Sequence, residues 1–430
     1  MDFKKGIAQA IAAAAEVDAD GVYAAIEVPP KSDMGDYAYP CFPLAKALKK
    51  APPAIAAELA EKIRLPEGVA KALPAGPYLN FLVGPSLRAR SILGQVMVKG
   101  EDYGSSGEGQ GRVVCIDYSS INIAKPFHIG HLSSTAIGHA LVNMYGFLGY
   151  ETVGINHLGD WGTQFGKLIV AFEKWGDKDS IEAGGVRELL KIYVRFHEEA
   201  EGDDTLNEAA RAAFKRIEDG DPEALAYFEW FKEVTLKEVG HIYEMLDIQF
   251  DSYAGESFYN DKMDRVILEL REKNLLVQDE GAWIVPFPEE DKMPPALILR
   301  ADGATLYVTR DIAAAIYRKE TYDFYKCLYV VAYQQNLHFK QLFKVVDMMG
   351  YKWAKDMEHV AFGMVSMEDG TLSTRSGRVI FLDEVFDRAI ERSRQLIEEK
   401  SPDLANKDEV AKQVGIGALV YSTLSAGRIK

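Results

Sequence analysis

Residues Asp117–Phe165 read DYSSINIAKPFHIGHLSSTAIGHALVNMYGFLGYETVGINHLGDWGTQF, and the order of features in this stretch decides the fold. An apolar run, Arg112 to Ile116, leads in as a strand. A polar loop follows, and then a helix opens whose expected core face is Ile137, Leu141, Met144, Tyr145 and Leu148. A strand, a polar loop and a helix N-terminus form the arrangement that receives phosphate in open α/β sheets. His128 and His131 stand three apart, so on one helical turn they share a face. Gly130 between them removes a side chain where a ligand must approach. Alone, a pair of histidines at this spacing reads as a helix cap or a core pair. Here Lys125 precedes them, an apolar helix follows, and a second polar loop (Asn156 to Gln164) comes after the next strand. Together these point to a nucleotide site.

The rest of the composition sets limits. At 430 residues the chain is long enough for two to four domains. It is 48% hydrophobic and 27% charged, as soluble globular proteins are. No apolar run approaches the ~20 residues of a membrane span, and the alanine-rich start reads as an amphipathic helix, not a signal peptide. Cys41, Cys115 and Cys327 lie far apart, which predicts free thiols, no structural metal and a cytoplasmic protein. The net charge of −16 argues against a generic nucleic-acid binder. The excess is local, because residues 173–260 hold 22 acidic and 10 basic side chains, a net of −12. One face therefore stays available for RNA.

In chain order, residues 1–108 read as a small α/β domain. We expect helices at Phe3–Glu16, Phe42–Lys50 and Pro53–Arg64, and strands at Val22–Val28 and Tyr78–Val83. A turn falls at Met34-Gly35-Asp36-Tyr37, and Tyr103–Gly111 is a glycine-serine linker. Phe81 reads as a core residue of its strand. Residues 109–380 form the nucleotide-binding fold, interrupted at about 170–290 by an acidic helical insertion with a cap at Asp221. The fold resumes with strands at Ala296–Arg300, Thr305–Thr309, Cys327–Ala332 and Val360–Val365, and with helices from Asp311 and from Leu337 to Met349. Strands alternating with helices predict a parallel sheet with its site at the strands' carboxyl ends. Residues 381–430 read as a helical segment, beginning with a charged helix, Asp383–Lys400. By position alone Asp311 is a helix N-cap.

His128-Ile129-Gly130-His131 matches the signature of class I aminoacyl-tRNA synthetases, and SSINIAKPFHIGHL with INHLGDWGTQFG resembles the arginyl-tRNA synthetases in particular. GDYAYPCFPLAK and AGPYLNFLV resemble the N-terminal domain of that family, which contacts the outer corner of tRNA. The resemblance implies a Rossmann-like catalytic domain, with an insertion that covers the active site and the acceptor end of tRNA. It implies ATP-dependent ligation of L-arginine to arginine tRNA through an arginyl-adenylate, with ATP entering as its Mg2+ complex and the enzyme acting as a monomer. His128, His131 and Lys125 carry the chemistry, and His128, Gly130, His131, Ser373, Thr374 and Arg375 bind ATP. Tyr307, Asp311 and Gln335 line the arginine side-chain pocket, while Asp117 and Asn122 lie near the substrate's amino group. A guanidinium calls for a carboxylate in bidentate geometry, and Asp311 supplies one. The lysine-rich second signature of most class I enzymes is replaced by Ser373-Thr374-Arg375-Ser376-Gly377, without lysine, and Lys125 stands in for it. Ile121 replaces a common proline, and Ser133 replaces an arginine after the signature. Family members continue beyond this point into a helical anticodon-binding domain. The expectation is that the chain ends at that domain boundary and binds tRNA weakly. Two alternatives remain: a non-catalytic relative that binds tRNA or a partner, and another H-x-G-H nucleotidyltransferase.

Overall fold

A computed structural model describes residues 2–301, 305–364 and 380–429. The chain divides into two compact units, Met1–Ser105 and Ser106–Lys430.

In the first unit, helices α1 (Phe3–Ala15), α2 (Ala19–Ala25), α3 (Ala45–Leu48) and α4 (Pro52–Lys62) accompany three antiparallel strands. These are β1 (Tyr37–Pro40), β2 (Val69–Ala75) and β3 (Tyr78–Val83), in the order β1-β3-β2, and α5 (Pro85–Lys99) follows. The first half of the strand expected at Val22–Val28 is instead α2, because Asp18 caps its start by accepting from the Gly21 N–H at 2.8 Å, and of the rest Glu27 makes a single antiparallel bridge to Ala38. The helix expected over Phe42–Lys50 shrinks to a 3-10 turn and the four residues of α3, since Pro43 stands at its start and Lys49 turns left-handed. At the expected turn, Gly35 has φ +122°, and a Cβ there would lie 2.9 Å from the Phe81 carbonyl oxygen, so glycine is required. Phe81 is completely buried with Ile7, Ile11, Ile55, Leu59, Leu79 and Cys41.

In the second unit, β4 (Val113–Asp117) leads to α6 (Ile129–Phe147) and β5 (Glu151–Ile155). Helices α7 (Thr163–Trp175), α8 (Lys178–Gly184), α9 (Val186–Ala200), α10 (Asp204–Glu218) and α11 (Pro222–Met245) follow. Asp221 caps α11, accepting from the Ala224 N–H at 2.9 Å. Next come α12 (Met263–Glu272) and an antiparallel sheet of β6 (Val277–Asp279), β7 (Ala282–Val285) and β8 (Ala296–Leu299). The chain closes with α13 (Tyr307–Tyr322), β9 (Lys326–Tyr329), α14 (Asn336–Met348), β10 (Met357–His359), α15 (Leu382–Lys400) and α16 (Lys407–Ser425).

The four parallel strands run β10-β9-β4-β5, so the order reverses at β4, between β5 on one side and β9 on the other. Successive residues of β4 point to opposite faces. Val114 and Ile116 join the core under α6, α7 and α11, and Cys115 joins the core under α12, α13 and α14. Cys115 and Cys327 face each other across β4 and β9, both fully buried.

Three expectations change here. On α6 the fully buried positions are Leu132, Ser134, Thr135, Ala136 and Gly138; Ile137, Leu141 and Tyr145 of the expected face pack half-buried against the same core, and Met144 is 55% exposed. The helix sinks its first half and lifts its last turns, because Gly138 lets it lie directly against Tyr118; a Cβ there would fall 2.2 Å from that side chain. Thr305–Thr309 is not a strand: α13 already begins at Tyr307, so tertiary packing overrides the β-branched run. Asp311 therefore stands inside the helix, and the N-cap is Leu306. The strand expected over Val360–Val365 begins earlier, as β10, and among the described residues continues as a bridge between Ala332 and Phe362; Val365 lies outside them.

Candidate active site

The loop after β4 turns through left-handed backbone at Ser119 (φ 67°), Ser120 (φ 43°) and Ala124 (φ 57°). Non-glycine residues held there store strain that the surroundings must hold in place. Hydroxyls do so. Ser134 Oγ accepts from the Ser119 N–H at 3.0 Å and donates to the Val330 carbonyl at 2.7 Å. Thr235 Oγ1 accepts from the Ala124 N–H at 2.9 Å, and Tyr243 Oη lies 2.7 Å from Ser119 Oγ. Thr235 and Tyr243 both come from α11, so the helical segment between the halves of the sheet holds the loop in shape.

His128 is the N-cap of α6, and its Nδ1 accepts from the Gly130 N–H at 3.1 Å. His131 Nδ1 accepts from the His128 N–H at 3.1 Å, and the two rings lie 4.0 Å apart. The capping reading and the nucleotide reading thus fall on the same atoms. A ring nitrogen that accepts from an N–H carries no proton, so each neutral ring has its hydrogen on Nε2. Burial pushes the His131 imidazole down to about 3, helped by His128 beside it, and burial also lowers His128. The first-turn amides are already engaged: Ile129 donates to Ile380, Gly130 to His128 Nδ1 and His131 to the His128 carbonyl. An anion arriving here meets imidazole N–H donors and the helix dipole, not free backbone amides.

The loop after β5 lies beside it. Asn122 pairs with Gly159 through a short parallel bridge, in which the Gly159 N–H reaches the Ile121 carbonyl at 2.8 Å. Asp160 is fully buried and accepts from Lys232 Nζ, the Ser257 N–H and Ser257 Oγ at 2.8, 2.8 and 2.7 Å. Ile121, at the proline position, is a buried core residue.

Asp117 ends β4 and is buried against a cation that the sequence reading missed. Arg318 Nη2 lies 2.7 Å from Asp117 Oδ2, and Ser120 Oγ donates to Oδ1 at 2.6 Å. Arg318 is 1% exposed and also faces the Tyr329 ring at 5.3 Å. It stands seven residues after Asp311 on α13, hence on the same helical face, and that spacing is the signal that could have found it.

Asp311 accepts from His338 Nε2 at 2.6 Å on Oδ2, and His157 Nε2 lies 3.8 Å from Oδ1. Burial alone would raise the Asp311 carboxyl, but the His338 hydrogen bond and the nearby His157 and Arg318 outweigh it and hold the carboxyl below its usual value. Arg318 Nη2 is 3.4 Å from His157 Nδ1, which must accept because a guanidinium only donates. His157 is itself pushed down by burial. The sequence reading also missed His157 and His338. Beside them Glu256 is raised to about 7 by burial, against the pull of Arg310 3.8 Å away.

The structure gathers His128, Gly130 and His131 at one helix start and joins Asn122 to the loop that carries His157. Tyr307 is 64% exposed at the start of α13, and Gln335 is the exposed N-cap of α14. Lys125 is half-buried in the loop before α6. Ser373, Thr374 and Arg375 lie outside the described residues. No cluster of candidate metal ligands occurs among the described residues.

A family model for class I tRNA synthetases (R), catalytic domain, matches residues 92–430, and one for the arginyl tRNA synthetase N-terminal domain matches residues 1–83. The arginine–tRNA ligase of Clostridioides difficile is 55% identical over 431 residues, spanning 100% of this chain and 76% of that protein. The arginine–tRNA ligase of Halothermothrix orenii is 53% identical over the same shares. The solved arginyl-tRNA synthetase of Thermus thermophilus superposes with a TM-score of 0.66 at 23% identity, covering 99% of this chain and 76% of that one. That of Plasmodium falciparum gives 0.70 at 21% identity, covering 94% and 70%. With a catalytic-domain model over most of its length and relatives more than half identical along the whole of this chain, the chain belongs to the arginyl-tRNA synthetases of class I.

Proposed function

We propose that the protein joins L-arginine to arginine tRNA with cleavage of ATP, with the residues of the α6 start and of α13 in the roles that follow. The arginine carboxylate attacks the α-phosphate of ATP, brought in as its Mg2+ complex, and pyrophosphate leaves. A ribose hydroxyl at the tRNA 3′ end then displaces AMP from the arginyl-adenylate. Such chemistry asks the protein for position and for donors aimed at developing charge, with little covalent work.

His128 and His131 present Nε2–H donors to the phosphates. The observation that carries this reading is that both Nδ1 atoms are occupied by backbone N–H groups, which fixes both rings as neutral donors at Nε2. Lys125 adds charge on the same loop. Ser373, Thr374 and Arg375 complete the triphosphate site in this proposal. Asp311 takes the substrate guanidinium, between Tyr307 and Gln335. Asn122 receives the substrate amino group together with Asp117, whose oxygens each keep a second lone pair after their bonds to Ser120 and Arg318. The N-terminal unit contacts tRNA. Three buried unpaired thiols suit a reducing compartment such as the cytoplasm.

The test is pyrophosphate release from Mg·ATP with arginine tRNA present, using L-arginine and L-citrulline. Citrulline keeps the shape and loses the charge. We expect turnover with arginine only, and a fall of roughly 100- to 1,000-fold in kcat for His131→Ala. Full activity in that variant would overturn the assignment of the donors.

A further inference from the structure

Asp311 and Asp117 are each held by a nitrogen donor, but only one of those donors can leave. Arg318 is sealed, 1% exposed, against Asp117. His338 and Asp311 keep 23% and 27% of their side chains exposed. The far side of Asp311 is closed by His157, 15% exposed, and by Arg318 beyond it. A ligand therefore reaches the Asp311 carboxylate from the side on which His338 sits.

We infer that His338 is a resident stand-in for the substrate's guanidinium: its imidazole occupies Asp311 Oδ2 until substrate arrives, and arginine binds by displacing it. His338 is thereby a residue that sets substrate affinity. The inference rests on the reading of Asp311 as the guanidinium partner. A carboxylate only accepts, so Nε2 of His338 carries the hydrogen of the 2.6 Å bond. A guanidinium binds a carboxylate as a two-pronged fork lying in line with both oxygens, and it must enter from the exposed side, where the ring already stands against Oδ2. An unpaired carboxylate in this pocket would be costly, and the imidazole prevents that before substrate binds.

The choice of side chain matters. An arginine in place of His338 would match the substrate's own fork and lock the pocket. A single imidazole donor loses to a bidentate guanidinium and can be replaced. Every occupant of Asp311 meets the same cost of displacing the ring, and only a charged fork recovers it in full. The preference for arginine over citrulline thus belongs to Asp311, and the absolute threshold of binding belongs to His338.

Calorimetric titration of the full chain with L-arginine and L-citrulline tests this in three variants. His338→Phe keeps a ring and removes the donor. We expect arginine to bind roughly 10-fold or more tightly, as loss of a competing hydrogen bond to a charged group predicts, with the ratio of arginine to citrulline affinity unchanged. His338→Gln keeps a weaker donor, so its arginine affinity should fall between that of the phenylalanine variant and wild type. It also serves if the phenylalanine variant does not fold. Arginine affinity that is unchanged or weaker in both variants overturns the inference. Asp311→Asn separates the two levels. If it abolishes arginine binding while neither His338 variant tightens it, this inference alone fails. If it leaves arginine binding intact, the reading of Asp311 fails and the inference with it.

Discussion

Two carboxylates, one buried and one half-buried, stand near each other in this site and are treated in opposite ways. Asp117, at the end of the central strand, is 5% exposed, and its partner Arg318 is 1% exposed. Asp311, two helical turns before Arg318, faces an imidazole at the rim. The first pair is closed on itself; it joins the end of β4 to α13 and to the Tyr329 ring of β9. The second can open. The difference teaches that burial of the partner, more than the identity of the acid, separates a carboxylate whose pairing is fixed from one whose pairing can exchange.

The largest effect should come from breaking the sealed pair. Arg318→Met leaves Asp117 buried without its counter-ion, and we expect a loss of roughly 3–5 kcal/mol in urea unfolding. A loss below about 1 kcal/mol would erase the contrast. Asp311→Asn should cost little stability but weaken arginine binding by roughly 100-fold, read by titration, because hydrogen bonds to a charged guanidinium are forfeited.

Acid sharpens the comparison next. His131 is neutral in the fold down to about 3, and His157 is also lowered, whereas an unfolded histidine protonates near 6.5. Below 6.5 the unfolded chain binds more protons, so stability is complete above that pH and declines towards pH 3. The lowered carboxyl of Asp311 adds its own loss below its ordinary value of 3.8. Thermal midpoints measured across this range should fall as pH falls, and His131→Asn, which keeps an acceptor for the His128 N–H but cannot titrate, should flatten the upper part of the decline. The smallest effect is Ser120→Ala, which removes the 2.6 Å bond to Asp117 Oδ1 and should cost about 1 kcal/mol in the same unfolding measurement.

What could be read from the sequence was local. The apolar run before Asp117, the polar loop and the capped helix carry their signals within a few residues, and β4, β5 and α6 stand close to where those signals place them. Asp221 announced the start of α11 for the same reason. Val22–Val28 misled because its β-branched and aromatic residues favour strands, while Asp18 decided for a helix from outside the run. Within the site, the helix-start histidines were legible and the partners of the carboxylates were not. Arg318 reaches Asp117 only when α13 packs on the sheet, and Thr235 and Tyr243 hold the strained loop from a distant helix. Long-range pairing of this kind leaves a trace in the sequence only as spacing along one helix, as between Asp311 and Arg318.

The three cysteines give the molecule an internal clock. Cys41 is buried in the first unit, and Cys115 and Cys327 face each other in the central sheet of the second. Burial raises all three thiols, Cys41 to about 11, so few are thiolates at neutral pH and none meets a reagent in the closed fold. A thiol-modifying reagent can then act only after a unit opens, and its rate at each cysteine reports how often that happens. Cys41 keeps time for the N-terminal unit, and the facing pair keeps time for the parallel sheet of the second.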